Sequence, residues 1–371
     1  DYNFISNIAE GLVETDVYGR PSPCMAESWE HNDDFSVWTF RIRPDVYWVD
    51  CSGSKTEYKV TADDFVAGIR YIADPANNAS GISTIRNVIA GLYDYYYALV
   101  DIDDGTDIGK TRDEVVASFD ETVGVKAVDE YTVEYTLSGP CPYFLSYAQL
   151  DMMLPVEQAF LDSVGEDFGT SKETMLYNGG YYISAWDLDK QFVLTKNENY
   201  WDADNVALQA INITITTDAN TILGMYQTGE LSLYNVPNDQ LAQYAGDPTL
   251  VTNKLLRNTF IEFNPANEFL GNINIREAFS IAFNRQIFAE QVMGDASLAA
   301  YGLVPYGVRG LAGGDFREQA GPIVTDASDS TAIAHAQELL QMGLDELGKT
   351  VLDLQQGFSI QCLERGKIQA Q

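Results

Sequence analysis

The sequence predicts a mixed α/β protein of two or three domains, on three observations. At 371 residues the chain exceeds one ordinary domain, and its 46% hydrophobic content is ample for more than one core. Apolar runs of period two alternate with runs of helical period along nearly the whole length, with no repeat of 20 to 50 residues. The most legible unit, from Trp38 to Pro75, reads strand, strand, cap, helix.

Taken in order, residues 4–18 read as a helix leading into a short strand, and Gly19, Pro21 and Pro23 punctuate a turn. Trp38, Phe40 and Ile42 then alternate with Thr39, Arg41 and Arg43, the signature of a strand with one buried face, until Pro44 ends the ladder. Residues 46–49 form a second β-prone run, followed by a polar loop over 51–58. Thr61 is the expected N-cap of a helix with Asp63 and Asp64 in its first turn, where the dipole favours negative charge. Phe65, Ile69 and Ile72 continue at helical spacing to the stop at Asp74-Pro75. A helical run passes through Tyr93 and Tyr95 to Tyr97. The following DIDDGTD has carboxylates at alternate positions, but counting from Asp101 its twelfth position is Arg112, so it lacks the closing glutamate of a calcium loop.

Residues 124–137 predict a β-hairpin turning at Asp129-Glu130, and a proline-started helix and a second helix after Leu154-Pro155 follow. Gly179 and Gly180 mark a sharp turn or a close approach. Strands are predicted over 191–197 and 211–217, then a helix from 219 closed by Gly229, a helix over 237–245 and a strand over 257–265. Residues 273–293 read as one amphipathic helix with Ile275, Phe279, Ile281, Ala282 and Phe283 on or near one face. A glycine-rich loop (301–315), one more helix (331–344) and a β-like run (351–361) complete the pattern.

Fifty-five acidic against 22 basic residues leave a net charge of −33, which argues against nucleic acid or an anionic membrane surface as partner. No run approaches the roughly 20 apolar residues of a membrane helix. The chain opens at Asp1 without the basic start and apolar core of a signal peptide, so any targeting segment is expected to be removed or upstream. Cys24, Cys51, Cys141 and Cys362 have no metal-binding spacing, leaving one disulfide and buried free thiols both open. With His31 and His335 alone, histidine catalysis or a multi-histidine metal site lacks material, and no G-x-S-x-G, P-loop or HExxH occurs. The pairs Asp63/Asp64, Asp33/Asp34 and Glu10/Glu14 resemble hydrolase dyads only on paper, since a dyad is defined by its separation in space. No catalytic residue, metal or cofactor is expected. Aromatic content of 12% is the positive signal, suited to lining a pocket for an extended solute.

The run ESWE…WTFRIRPDVYW…VTADDFVAGIRYIADP resembles the signature region of extracellular solute-binding proteins that serve peptide ABC transporters, the oligopeptide- and dipeptide-binding group. Residues 10–30, 124–146, 178–187, 194–202, 211–233 and 263–285 fit the same family in the same order. The resemblance implies a periplasmic-binding-protein-like fold of type II, α/β, with two lobes and an additional subdomain. Mapped on this chain, residues 1–28 plus 176–252 are the first lobe, 29–175 the subdomain, and 253–371 the start of a second lobe that is incomplete, so that continuation past Gln371 is expected. Residues 76–123 are an insertion that the resemblance does not explain.

It further implies a monomer outside the membrane, periplasmic or lipid-anchored through an upstream Cys, that captures peptides and delivers them to permease subunits. Oligosaccharide or another small solute is the runner-up ligand, and an acidic-pair hydrolase the alternative of another class. By position within the resemblance, Tyr2, Phe4, Asn178, Gly179, Asn258, Thr259 and Phe260 are the candidate ligand-binding residues.

Overall fold

The computed structural model describes residues 2–16, 19–327, 330–357, 362–364 and 367–369, and forms two compact units, 1–218 and 219–371. In the first unit the helix Tyr2–Ile8 precedes an antiparallel pair, β1 (Val13–Thr15) and β2 (Pro21–Pro23). β3 (Ala26–His31) and β4 (Val37–Ile42) follow, then the hairpin β5 (Tyr47–Val49) and β6 (Lys55–Lys59), and later the hairpin β7 (Val125–Asp129) and β8 (Thr132–Thr136). Four of these make an antiparallel sheet in the order β3-β4-β8-β7, with Trp38 opposite Tyr135 and Phe40 opposite Val133. The predicted inward set Trp38, Phe40 and Ile42 is buried against Phe65, Ile69 and Ile72 of the helix Ala62–Ala73. Each such side chain contributes about 2 kcal/mol by leaving water. Leu92, Tyr95 and Leu99 of the helix Leu92–Asp103 extend the same core into the 76–123 segment.

A smaller sheet in this unit has the order β11-β10-β9, from β9 (Tyr181–Asp187), β10 (Gln191–Lys196) and β11 (Ala210–Thr214). Its core comprises Tyr181, Ile183 and Leu194 with Ile8, Val49 and Tyr177. Reciprocal backbone bonds between Val49 and Tyr177, 2.9 and 3.0 Å, tie β5 to this core.

The second unit is built on the helices Ile273–Ala282 and Ser330–Leu347, whose residues Ile275, Ala278 and Ile281 pack with Ala336, Leu339 and Leu344. A Cβ on Gly343 would stand 2.6 Å from Ile275 Cγ1, so glycine lets the two helices approach. The helix Ala219–Gln227 closes as predicted, with Gly229 at φ +79°.

Several elements differ from their sequence reading. The polar loop over 51–58 contains β6: the Asp50 carboxylate accepts from the Ser52 and Ser54 amides at 2.8 and 3.1 Å, tightening a turn that sends the chain back on itself. The expected helix over 237–245 is a single 3-10 turn, Leu241–Tyr244. The helix expected over 273–293 breaks at Phe283, because the Asn284 side chain accepts the Ile287 amide at 2.9 Å and caps a new start. Residues 257–265 form no strand. Among the described residues no backbone–backbone hydrogen bond involves residues 251–263, and a strand exists only where a neighbour takes up its N–H and C=O groups. The β-like run begins as a helix, Val351–Gly357, and its residues 358–361 lie outside the described set. No described helix is long and apolar enough to cross a membrane.

Candidate ligand-binding site

Asn178 and Gly179 are brought against the end of the first helix. The Ile8 carbonyl accepts both their amides, at 3.3 and 3.1 Å. The Asn178 side chain then grips Glu10 on both sides: Oδ1 accepts the Glu10 N–H at 2.9 Å and Nδ2 donates to the Glu10 carbonyl at 3.1 Å. Asn178 is only 1% exposed, so its amide group is spent on the protein's own backbone. A Cβ on Gly179 would meet Ile8 C, Asn7 O and Ala9 N at 2.7 to 2.9 Å, so only glycine fits between these backbones. From the other side, buried Asn197 donates Nδ2 to the Gly179 carbonyl at 3.0 Å.

The Glu10 carboxylate is the hub of this region. The Cys24 thiol donates to its Oε2 at 2.8 Å, the Trp201 indole to the same oxygen at 2.9 Å, and the Tyr200 hydroxyl to Oε1. Arg43 lies 3.7 Å over the Trp201 ring and donates Nε to the Cys24 carbonyl at 2.7 Å. Burial, and then the negative charge of Glu10, push both the Cys24 thiol and the Tyr200 phenol well above their ordinary values, which keeps each protonated as a donor. Glu14 is raised by burial, then by Glu10 and Asp202, with Arg43 opposing. Glu10 itself is engaged by three donors. Sequence reasoning had singled out Glu10 only as half of a dyad with Glu14 and Cys24 only as one of four cysteines, and missed that Glu10 gathers Cys24, Tyr200 and Trp201. The signal present was a lone glutamate inside the otherwise apolar run Ile8–Val13.

Phe4 meets Phe192 edge-on at 5.1 Å, and Phe192 meets Trp186 at the same distance, an aromatic corner on the small sheet. Tyr2 lies on the same first helix, its side chain outside the described set. Asn258, Thr259 and Phe260 belong to the second unit. Asn258 donates Nδ2 to the carbonyls of Gly302 and Leu303, at 2.8 and 2.5 Å, pinning an extended stretch on which Thr259 is exposed and the Phe260 ring is 64% exposed. Tyr2, Phe4, Asn178 and Gly179 therefore share the first unit, and the other three candidates share a loop of the second.

The remaining chemistry sought in the sequence resolves locally. Asp34 binds the Ser36 hydroxyl and amide at 2.6 and 3.1 Å, and His31 is exposed, stacked on Phe35 at 4.2 Å. Cys24, Cys51 and Cys141 are free thiols, and the side chain of Cys362 is outside the described set. Among the described residues, no group of three or more His, Cys, Asp or Glu is arranged to hold a metal ion.

Residues 20–352 match the family described as bacterial extracellular solute-binding proteins, family 5 Middle. The oligopeptide-binding protein AliB of Streptococcus pneumoniae is 31% identical over 325 residues, covering 79% of this chain and 46% of that protein. The periplasmic oligopeptide-binding protein OppA of Salmonella typhimurium is 30% identical over 317 residues, covering 82% and 52%. Among solved structures, Listeria monocytogenes OppA bound to peptide superposes with a TM-score of 0.68 at 28% identity, over 94% of this chain and 64% of that one. The chain spans about half the length of the curated relatives it matches. With the family match running through both units and the fold shared with a peptide-bound relative, the chain belongs to the family 5 extracellular solute-binding proteins.

Proposed function

We propose that this chain is part of the substrate-binding component of an ABC importer, capturing peptides outside the membrane and presenting them to permease subunits. The observation that carries the reading is the family match over residues 20–352, joined to relatives named for oligopeptide binding. A first lobe of residues 1–28 plus 176–252, a subdomain of 29–175 and a second lobe from 253 are part of this reading, and the core that joins the first helix to the small sheet supports the first of these. On this reading Phe4 and Phe260 offer ring surface to the ligand, while Asn178 and Gly179 hold the segment that carries Phe4. The protein acts as a monomer, periplasmic or lipid-anchored, and binds without cleaving.

Incubating the purified protein with mixed peptides and mixed oligosaccharides, followed by native mass spectrometry, tests this directly. Peptides retained at their original masses are expected. Selective retention of sugars points to the runner-up ligand, and shortened peptides overturn the non-catalytic reading.

A further inference from the structure

The helix Leu92–Asp103 sends Leu92, Tyr95 and Leu99 into the core, but the positions between them do not carry the charged residues usual on a wet face. They carry Tyr93, Tyr96 and Tyr97. Tyr96 rests on the edge of the core, while Tyr93 is 47% exposed. The Tyr93 and Tyr97 rings lie 4.6 Å apart between centroids, and Tyr96 meets Tyr97 edge-on at 5.3 Å.

Arg86, at the end of the short helix Ile82–Ile85, comes over this cluster. Its guanidinium carbon lies 5.1 Å from the centre of the Tyr97 ring and 5.6 Å from that of Tyr96. The residue is half-buried, and its Nε is buried with no hydrogen-bond partner. Other arginines of this unit are paired with carboxylates: Arg20 with Asp16, Arg43 with Glu27, Arg70 with Asp120 and Arg112 with Asp74. Arg86 makes neither an ion pair nor a hydrogen bond among the described residues, and the hydroxyls of Tyr93, Tyr96 and Tyr97 make no hydrogen bond there either. Asp94, the acid of the helix's first turn, is exposed and forms no ion pair with it.

Ring faces attract a guanidinium and cover its Nε, but they do not accept the N–H bonds that lie in its plane. The terminal nitrogens therefore reach solvent with their donors unused. That outer fork has the geometry of a carboxylate, and the rings beside it have the surface for a flat apolar group. The net charge of −33 repels ligands with several negative charges. A solute with one carboxylate next to a ring satisfies both halves of the cluster.

We propose that Arg86, Tyr93, Tyr96 and Tyr97 form a binding site for a small aromatic carboxylate, with the carboxylate taken by Arg86 and the ring laid against Tyr93 and Tyr97. The site belongs to the 76–123 segment and includes none of the candidate ligand-binding residues.

Titration of the full chain with N-acetylphenylalanine, followed on arginine Nε–H and tyrosine ring resonances, tests it. The Arg86 Nε–H, assigned by its loss in Arg86→Lys, is expected to shift saturably together with the Tyr93 and Tyr97 rings. N-acetylphenylalanine amide lacks the charge and should bind about tenfold more weakly. Acetate lacks the ring and should also bind more weakly. Arg86→Lys keeps the charge without the fork and should retain only part of the affinity, read on the tyrosine rings. Tyr93→Ala removes a half-exposed ring and should weaken binding severalfold. No saturable shift at Arg86, an amide or acetate that binds as tightly as N-acetylphenylalanine, or wild-type affinity in Tyr93→Ala overturns the proposal. Should Arg86→Lys fail to fold, the ligand series read on the tyrosine rings of the wild type and of Tyr93→Ala decides.

Discussion

At the scale of single residues, the candidate site separates side chains that hold the protein from side chains free to meet a ligand. Gly179→Ala drives a Cβ into backbone at 2.7 to 2.9 Å, which cannot yield as a flexible side chain would. A loss on the order of 2 kcal/mol or more is expected in chemical denaturation. Asn178→Ala leaves the Glu10 N–H and carbonyl unpaired and should cost about 1–3 kcal/mol. Phe260→Ala removes a ring already mostly in solvent. Its stability should stay within about 0.5 kcal/mol of wild type, while calorimetry should show peptide binding weakened severalfold. Unchanged affinity for Phe260→Ala would remove that residue from the site. Asn178 and Gly179 were legible as special positions because paired glycines announce a close approach. What approaches them, the backbone of Asn7 to Ala9 some 170 residues earlier, was not legible.

Among the elements, the helix Ala62–Ala73 was read correctly in type, start and buried face, because its signals lie within one or two turns of the chain. Thr61 is the N-cap as expected, and Asp64, expected only as a first-turn acid, reaches back to accept the Thr61 amide at 3.0 Å. Thr61→Ala should cost about 1 kcal/mol in a urea melt and leave ligand affinity unchanged; a large affinity loss at constant stability would instead place this helix start in the site. The elements misread were those whose outcome depends on a partner. Residues 55–59 are polar, yet form β6 because the Asp50 turn folds them onto β5. Residues 257–265 alternate as a strand should, yet pair with no strand among the described residues and are pinned by Asn258 instead.

For the whole molecule, the two units set the expected pattern of cleavage. Residues 251–263 make no backbone–backbone hydrogen bonds among the described residues and expose Val251, Leu255, Leu256, Phe260 and Ile261. A protease needs extended, unbonded backbone, so limited digestion should cut this stretch first and leave a resistant fragment containing residues 1–218. Mass spectrometry of the early fragments checks it; first cuts within the four-stranded sheet would contradict the assignment of stability to that core.

By itself the sequence determined the α/β class, the inward face of β4, the hairpin of β7 and β8, the helix at 62 and the family. Period, cap chemistry and turn residues act through torsions and neighbours a few positions away, and six ordered motifs leave a family signature that needs no contacts. Only the tertiary structure decided what becomes of Glu10, whose donors Cys24 and Trp201 come from 14 and 191 residues along the chain. It alone showed Asp64 as buried and accepting the Trp48 indole N–H, where the sequence showed only a first-turn acid. Burial and hydrogen-bond satisfaction are properties of the surroundings that folding assembles, and a carboxylate's role follows from those surroundings.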